Sequence, residues 1–244
     1  MNPEAYLDMA ATEATHWWFV GRRALLRSER SRLGLPARSR ILEIGCGTGG
    51  NLPMLSEFGQ VSGMEMDAQA RAIAVAKTAD QFDIRPGCCP DDMPFAGQRF
   101  DLICLFDVLE HVERDADTLV VLHRLLAQGG RVVLTVPAYP WMWGPHDQFL
   151  HHKRRYGRRV LRSKLLEAGW RIDRLSHFNL FLFPLAALVR AKDRLLRSHT
   201  ATGTGLPPRL VNALFRQVFL LERHLLRVLD LPFGLSLLAV VRAA

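Results

Sequence analysis

The stretch RILEIGCGTGG, residues 40–50, decides the fold of this chain. Its first half, residues 40–44, is a short apolar run typical of a buried β-strand, and four glycines follow between positions 45 and 50. Glycine permits a tight turn from a strand into a helix and lets a ligand approach the backbone closely. The stretch therefore predicts a strand, a ligand-binding turn and a helix. Taken alone, the glycine pattern also fits dinucleotide-binding enzymes and structural turns.

Strand and helix patterns alternate after this turn. The predicted strands are residues 60–64, 82–85, 100–106 and 131–136, and the predicted helices are residues 52–58, 68–78 and 115–126. The pair Gly129 and Gly130 is interpreted as the stop signal of the last of these helices. Such alternation predicts a mostly parallel sheet with helices on both faces.

The flanking segments complete one predicted domain that spans residues 1–244. Residues 1–35 form a helical cap, with a helix over 5–33, and residues 36–177 form the core with a lid loop at 137–158. A helix over 159–168, a strand over 170–176, helices over 183–197 and 208–229, a turn over 201–205 and a strand over 236–241 are expected. The two later helices belong to an insert, residues 178–233, before the last strand at 234–244.

Composition excludes several classes of protein. The 244 residues are 49% hydrophobic and 23% charged, which excludes collagen-like, coiled-coil and fully disordered chains. No run of about 18 apolar residues is present to span a membrane. The first 15 residues lack the basic and apolar pattern of a secretory leader, and the four cysteines form no CxxC pair. We therefore expect a cytoplasmic protein with free thiols.

Charge is divided unevenly along the chain. Residues 1–137 hold 14 Lys and Arg against 18 Asp and Glu, whereas residues 138–244 hold 18 against 6. The positive second part is expected to attract anions, such as an anionic substrate, an acidic membrane surface or nucleic acid. The alternative is that the arginines only keep apolar helices soluble.

Three segments resemble class I S-adenosylmethionine-dependent methyltransferases. They are ILEIGCGTGG at 41–50, VSGMEMD at 61–67 and DDMPFAGQRFDLICLFDVLEHV at 91–112. The resemblance implies an α/β, Rossmann-like fold with a seven-stranded, mostly parallel sheet and helices on both faces. It implies S-adenosyl-L-methionine as the cofactor and S-adenosyl-L-homocysteine as the product.

The same resemblance assigns the cofactor-binding residues. Those implied to line the methionine and ribose part are Glu43, Gly45, Cys46, Gly47 and Gly49. Glu65 is implied to bind the ribose hydroxyls, Met66 to pack on the adenine, Cys88 and Cys89 to lie beside the adenine edge, and Asp107 to lie near the sulfonium. Many family members carry an aspartate where this chain has Cys88, so backbone groups, Asp91 or Asp92 are the alternatives for recognising the adenine.

The segment HWWFVGRR at 16–23 resembles a feature of a bacterial subgroup of these enzymes. Trp18 is expected to roof the cofactor, since an aromatic face attracts a sulfonium. Arg22 is expected to pair with the cofactor carboxylate or with an anionic substrate. The alternative is that the two tryptophans only pack a helix on the sheet.

Asp107, Glu110 and His111 have the i, i+3, i+4 spacing of one helical face. The group is similar to a cation-binding group of some quinone-pathway O-methyltransferases, which carry a further acid where this chain has Arg114. An arginine disfavours a cation, so no metal site is expected. His111 is instead predicted to cap the helix or to line the substrate pocket.

The lid loop is the predicted catalytic segment. It resembles an HD-x4-HxRRY pattern of the same bacterial subgroup. His146 is proposed as a general base oriented by Asp147 or His152, because a neutral imidazole can accept a proton near neutral pH. The residues expected to contact the substrate, besides His111, are Tyr139, Arg154, Arg155 and Tyr156. The alternative is a purely structural loop held by His–Asp and Arg–Asp contacts.

These observations together predict a methyltransferase. The acceptor is expected to be small, hydrophobic or amphiphilic, with or without an anionic group, and methylated on oxygen. The alternative is a non-catalytic protein of the same fold that binds a partner or a membrane surface. Nucleic acid is not expected, because no Asn/Asp-Pro-Pro-Tyr/Phe motif is present. The insert, residues 178–233, is expected to act as a pocket lid, a homodimer face or a membrane-contacting surface.

Overall fold

The computed structural model describes residues 3–36, 38–195 and 205–244. The helices are α1 (Pro3–Thr12), α2 (Trp17–Leu33), α3 (Leu52–Ser56), α4 (Ala68–Lys77), α5 (Asp115–Val121), α6 (Pro145–Phe149), α7 (Arg158–Glu167), α8 (Phe183–Leu195) and α9 (Arg209–Leu226). The strands are β1 (Ser39–Ile44), β2 (Gly59–Met64), β3 (Asp83–Arg85), β4 (Phe100–Phe106), β5 (Leu126–Pro137), β6 (Trp170–Phe178) and β7 (Ser236–Ala243).

All seven strands join one sheet in the order β3-β2-β1-β4-β5-β7-β6. The first five strands of this order pair in parallel, whereas β7 runs antiparallel to both β5 and β6. The predicted seven-stranded, mostly parallel, Rossmann-like sheet is therefore confirmed. The strand order reverses at β1, which pairs with β2 on one side and with β4 on the other. Open α/β sheets bind ligands at such a reversal, beyond the carboxyl ends of the strands.

The central strands are buried on both faces. Neighbouring residues of β1 point to opposite sides, so that Leu42 joins the hydrophobic cluster under α5 and α7, while Ile41 joins the cluster under α2, α3 and α9. This double burial explains the continuous apolar run in β1, because strands covered by helices on both faces need no polar side.

The predicted helix over residues 5–33 is wrong in one respect, since it is two helices. The chain leaves α1 after Thr12 and enters α2 at Trp17. His16 has an extended backbone, and its ring accepts a hydrogen bond from the Trp18 N–H at 3.2 Å, so it caps α2. A capped break between two short helices is hidden in sequence when both helices continue the same polar and apolar mixture.

The boundary between α5 and β5 also differs from the prediction. The helix ends at Val121, a 3-10 turn covers Leu122–Arg124, and the strand already begins at Leu126. Gly129, at φ +76°, lies where the register of the β4–β5 pairing shifts. The glycine pair therefore forms a bulge within a strand and does not stop the helix, since a left-handed residue suits both roles.

The insert packs on the N-terminal helices. Trp17 of α2 meets Phe215 and Phe219 of α9 edge to face, with ring centroids 5.6 and 5.9 Å apart. The side chain of Glu222, also on α9, accepts the backbone N–H groups of Asn179 and Leu180 and so fixes the start of the insert. Positions 196 and 197 of the predicted helix and positions 201–204 of the predicted turn lie outside the described residues.

Candidate active site

The glycine turn closes against the end of β2. The backbone N–H groups of Gly45 and Cys46 both donate to the Met64 carbonyl, at 2.7 and 3.1 Å. Gly45 has a φ of +68°, and a side chain there would lie 2.6 Å from Val108. Glycine is therefore required both by the backbone conformation and by the close approach of the segment after β4.

Glu65 lies at the end of β2 and joins the turn to the start of α4. Its two carboxylate oxygens accept the backbone N–H groups of Gly47 and Asp67, each at 2.9 Å. Burial raises the pKa of this carboxyl. Each carboxylate oxygen can accept more than one hydrogen bond, so the neighbouring hydroxyls of a ribose fit as further donors.

Glu43, at the end of β1, has one satisfied and one unsatisfied oxygen. Its Oε1 accepts from the Asn51 amide at 2.7 Å, whereas its Oε2 is buried without a partner. Burial raises the pKa of this carboxyl to about 8. A buried acceptor without a donor is costly, and it fits a ligand that brings an ammonium group to this position.

Helix α1 covers the glycine turn. Glu13 accepts a hydrogen bond from the Thr48 hydroxyl at 2.9 Å and also pairs with Lys77 of α4. The Met9 methyl lies 3.1 Å from where a Gly47 side chain would begin, and Tyr6 is buried beside Glu65. Sequence reasoning missed these three residues, because nothing in a short amphipathic helix shows which loop it will cover.

Arg22 and Asp107 form an ion pair at the edge of this site. Asp107, at φ +56°, follows β4, and its carboxylate also accepts from the Thr135 hydroxyl at 3.0 Å. The Nε of Arg22 is buried without a partner. Arg22 and Asp107 thus lie together as their assignment to one site requires, while the Arg22 guanidinium is occupied by a carboxylate of the chain itself.

Trp18 lies elsewhere than predicted. Its ring stacks on Phe178 and Phe219, with centroids 5.9 and 5.6 Å away. These contacts place Trp18 in the packing between α2, the sheet and α9, so the prediction that it roofs the cofactor gives way to the packing alternative. The physical reason is that two apolar surfaces supply more contact to an indole than a solvent-exposed cleft does.

The expected adenine side has one exposed and two half-buried residues. Met66 is 72% exposed, which leaves its side chain available to a planar ring. Cys88 exchanges two backbone hydrogen bonds with Asp92, both at 2.9 Å, and this pairing shapes the loop. Cys89 contacts Met93 through sulfur at 3.6 Å, and burial raises its pKa to about 12, so it is an uncharged thiol.

Asp147 anchors the lid loop. It is fully buried, and it accepts from the His152 Nδ1 at 2.9 Å, from Arg155 at 2.7 Å and from the Gly144 backbone at 2.9 Å. Burial alone would raise its pKa, but the bonds from His152 and Arg155 lower it to about 2. Asp147 therefore orients His152 and not His146, and the same carboxylate holds the Arg155 guanidinium within the loop.

The ring of His146 is not oriented by a hydrogen bond at Nδ1. This nitrogen is buried without a partner among the described residues, and burial lowers the pKa of the ring to about 4. The imidazole is therefore neutral at physiological pH and offers a lone pair, but it holds a proton weakly. This weakens the expectation of a strong general base, because an effective base has a pKa near the working pH.

Tyr156 and Arg154 attach the lid loop to α5. The Tyr156 hydroxyl is buried and donates to Asp115 at 2.8 Å, and Arg154 pairs with the same carboxylate at 3.0 Å. Tyr156 is 1% exposed. The prediction that these two residues contact substrate is therefore replaced by a structural role, since their polar groups are already bound within the protein.

Asp107, Glu110 and His111 do not share a helical face. Leu109–His111 forms a single 3-10 turn, and Asp107 precedes it in a left-handed conformation. Glu110 is fully buried, and neither of its carboxylate oxygens has a partner. His111 is half-buried and lies next to His152 of the lid loop, with ring centroids 4.7 Å apart. The expected helical cap at His111 is therefore absent from this described segment.

An aromatic cluster lies beyond the carboxyl end of β5. The Tyr139 ring stacks on His177 at 5.4 Å and lies 5.2 Å from Phe183 of α8. Phe183 in turn contacts Trp141 and Phe233, with ring centroids 6.3 and 6.4 Å away. The insert and the lid loop thus meet over the edge of the sheet at which the glycine turn also lies.

Comparison with known proteins agrees with this geometry. A family described as methyltransferase domain matches residues 19–192. The chain belongs to this family. It is a class I methyltransferase by fold and motif, and its cofactor is S-adenosyl-L-methionine. No curated protein matches the sequence.

Solved structures show the same methyltransferase fold at low identity. BH2331 of Bacillus halodurans, assigned as a methyltransferase, has a TM-score of 0.60 and 16% identity, over 89% of this chain and 97% of its own. A protein of the Haloferax volcanii complex between the Trm112 methyltransferase activator and a methyltransferase gives 0.62 and 18%, over 98% and 93%. A Galdieria sulphuraria protein assigned as a sarcosine dimethylglycine methyltransferase gives 0.61 and 15%, over 91% and 84%.

The residues of this methyltransferase fit the cofactor that its family uses. Glu65 has free acceptor capacity for the ribose hydroxyls, and Glu43 keeps an unsatisfied oxygen for the ammonium of the methionine part. The glycines at 45, 47 and 49 all have positive φ angles, and a side chain there would approach Val108, Met9 or Ala74 to within 2.6 to 3.1 Å, so only glycine allows this turn. Both acids lie at the ends of neighbouring parallel strands, which is where this fold binds ligands.

Proposed function

We propose that this methyltransferase transfers a methyl group to an oxygen atom of a small, hydrophobic or amphiphilic acceptor. The observation that carries the proposal is the aromatic cluster around Tyr139 and Phe183, which lies at the same sheet edge as the glycine turn. Cofactor binding accounts for the acids at the ends of β1 and β2. The aromatic rings are left to contact the acceptor, because they are apolar and lie next to an exposed tryptophan, Trp141.

The cofactor supplies an electrophilic methyl group, so the chain's own task is to position the acceptor and to exclude water. The lid loop and α8 close over the sheet edge and provide that exclusion. Burial lowers the pKa of His146 to about 4, so its ring is neutral near pH 7. A neutral imidazole suits an oxygen acceptor, because it can accept its hydrogen bond without repelling the cationic cofactor.

Binding of the cofactor is the first test. Calorimetric titration with S-adenosylmethionine and S-adenosylhomocysteine should show one site in the wild type, and Glu65→Ala and Gly47→Val should abolish it. Glu57→Ala is the control for the first variant, because Glu57 is exposed. Gly97→Val is the control for the second, since Gly97 also has a positive φ but faces open space. Absence of binding to the wild type would refute the proposal.

The acceptor atom is tested with matched pairs of acceptors. Transfer of labelled methyl from the cofactor is measured to an alkylphenol, a fatty acid and an alkylaniline of equal chain length. We expect the phenol or the acid to be methylated and the aniline to be inert. Transfer to the aniline alone contradicts oxygen methylation. Cofactor binding without transfer across a broad panel supports the non-catalytic alternative.

We further propose that the outer face of α9 contacts an anionic membrane, from which an amphiphilic acceptor would be taken. Leu210, Leu214 and Leu221 of this face are exposed, at 85, 60 and 62%, and Val228, just beyond the end of the helix, is 72% exposed. The helix and its C-cap carry four arginines, and its single acid, Glu222, is buried. Two facing copies of α9 would bring like charges together, so charge favours an acidic lipid surface over a homodimer.

None of the helices in the described residues is long and apolar enough to cross a bilayer. Sedimentation with vesicles of phosphatidylglycerol and phosphatidylcholine should carry the wild type down, and pure phosphatidylcholine should not. Leu214→Asp should abolish sedimentation. Val160→Asp is the control, since Val160 is equally exposed on α7. A dimer in solution that Leu214→Asp dissociates would overturn the membrane proposal.

A further inference from the structure

We infer that Glu110, His111 and His152 form a binding site for a divalent transition-metal ion. Each residue offers one ligand atom, and these atoms all lie within 4.8 Å of one another. The sequence predicted no metal site, because Arg114 stands where the similar cation-binding group of other methyltransferases has a further acid. The fold supplies a different third ligand, His152 of the lid loop, which is 41 positions away from His111 in the chain.

The carboxylate of Glu110 is the observation that points to a ligand. Glu110 is fully buried, and neither of its oxygens has a hydrogen-bond partner among the residues that the structure describes. The nearby cations are engaged by other acids, because Arg155 binds Asp147 and Arg22 binds Asp107. A buried carboxylate without a donor is costly, and a cation at the two adjacent imidazoles would offset that cost.

His152 is oriented as a metal ligand would be. Its Nδ1 is hydrogen-bonded to the fully buried Asp147, which is itself held by Arg155. The nitrogen that remains for a metal is Nε2. Metal-bound histidines in proteins are characteristically fixed by such a carboxylate on the opposite ring nitrogen. Asp147 therefore acts as a positioning residue for His152.

His111 completes the set from the 3-10 turn after β4. One of its ring nitrogens bonds the backbone of His151, which leaves the other ring nitrogen available as a ligand. The rings of His111 and His152 are nearly perpendicular, at 85°. Ligand atoms about 2.0–2.2 Å from a metal lie about 3.4 Å apart, so only small side-chain rotations would close the site.

The ligand set indicates which ion would bind. Two imidazoles and one carboxylate favour zinc, cobalt, iron or manganese over magnesium, which prefers oxygen ligands. Three protein ligands leave coordination positions for water or for an acceptor oxygen. All three ligands belong to the chain itself, so metal binding can be measured without a methyl acceptor and does not depend on the proposed function.

The test is titration of metal-depleted protein with Co²⁺, whose visible absorption reports coordinated nitrogen and oxygen ligands. We expect one equivalent of Co²⁺ to bind the wild type, Zn²⁺ to displace it, and Mg²⁺ not to do so. Glu110→Gln and His152→Asn should each weaken Co²⁺ binding at least tenfold. His224→Asn should leave it unchanged, since His224 is exposed on α9.

Thermal unfolding separates lost binding from lost folding. Zn²⁺ should raise the Tm of the wild type and of His224→Asn but not that of Glu110→Gln. Since Gln is uncharged and has the shape of Glu, Glu110→Gln should fold, and His111→Asn serves as a second variant if it does not. Absence of stoichiometric Co²⁺ binding to the wild type would overturn the inference. Binding that survives both Glu110→Gln and His152→Asn would do so too.

Discussion

Glu13, in the turn that directly follows α1, accepts a hydrogen bond from the Thr48 hydroxyl in the glycine turn, at 2.9 Å, and pairs with Lys77 of α4. The end of the N-terminal helix is thereby tied to the loop that contacts the cofactor. The Glu13 side chain is buried. The covering of the cofactor site therefore depends on a carboxylate that lies outside the family match at residues 19–192.

We expect Glu13→Gln to release the cofactor faster. A hydrogen bond to a charged group contributes about 1.5–3 kcal/mol, so the dissociation rate of S-adenosylhomocysteine should rise about tenfold or more. Stopped-flow tryptophan fluorescence measures this rate. Asp8→Asn is the control, because Asp8 is an exposed acid on the neighbouring helix α1. An unchanged rate in Glu13→Gln would show that α1 does not retain the cofactor.

Affinity for the cofactor should increase with pH through the ionisation of Glu43. Its pKa is raised to about 8, so the carboxyl is mostly protonated in the free protein at pH 7. A ligand ammonium favours the ionised form, so binding releases a proton, and affinity should rise about tenfold between about pH 6.5 and 8. Calorimetry in buffers of different ionisation enthalpy detects the proton. Glu43→Gln should remove both effects, and a pH-independent wild type contradicts the assignment.

Arg174 of β6 is expected to be the most costly polar residue to remove. It pairs with the buried Glu29 of α2 and with Asp230, and it donates to carbonyls at the end of α9. Arg174→Met leaves Glu29 buried and uncompensated, which should lower the free energy of unfolding by about 3–5 kcal/mol. Urea denaturation measures it. Arg171→Met on the exposed side is the control, and adding Glu29→Gln should restore part of the loss.

Glu222 should make the protein less stable as the pH rises. Its pKa is raised to about 7 by burial, above its ordinary value of 4.5. The protonated carboxyl is therefore favoured by folding, so its contribution is complete below about pH 4.5 and is lost as the pH rises through 7. The loss amounts to about 3 kcal/mol. Urea denaturation at pH 5 and 8 should show a smaller difference for Glu222→Gln than for the wild type.

The sequence alone identified the glycine turn and the two acids beside it, because these features depend on residues that are neighbours in the chain. The glycines at 45, 47 and 49 have positive φ angles and close contacts, so their pattern identifies the turn. Glu43 and Glu65 are found from sequence because they directly follow, or end, apolar strands. The errors arose where one residue type serves two purposes. Gly129 suits a helix end as well as a bulge, and Trp18 suits a roof as well as interhelical packing.

The lid loop shows what a motif leaves undecided. The motif identifies a set of polar residues but not their hydrogen-bond partners. These residues are His146, Asp147, His152, Arg155 and Tyr156. Whether a histidine accepts protons or is held by a carboxylate depends on distances of about 3 Å between side chains that the chain order does not fix. In the structure Asp147 accepts hydrogen bonds from His152 and Arg155, whereas the Nδ1 of His146 is buried without a partner among the described residues.

The sequence by itself determined the α/β sheet and the cofactor turn, because periodicity and glycine placement are local properties of the chain, and the resemblance of three of its segments indicated the methyltransferase family. Only the tertiary structure decided that α1 covers the turn, that β7 lies between β5 and β6, and that His152 meets Glu110 and His111. These relationships join residues that are distant along the chain. They follow from which apolar faces pack together, and that choice is made by the whole fold rather than by any single segment.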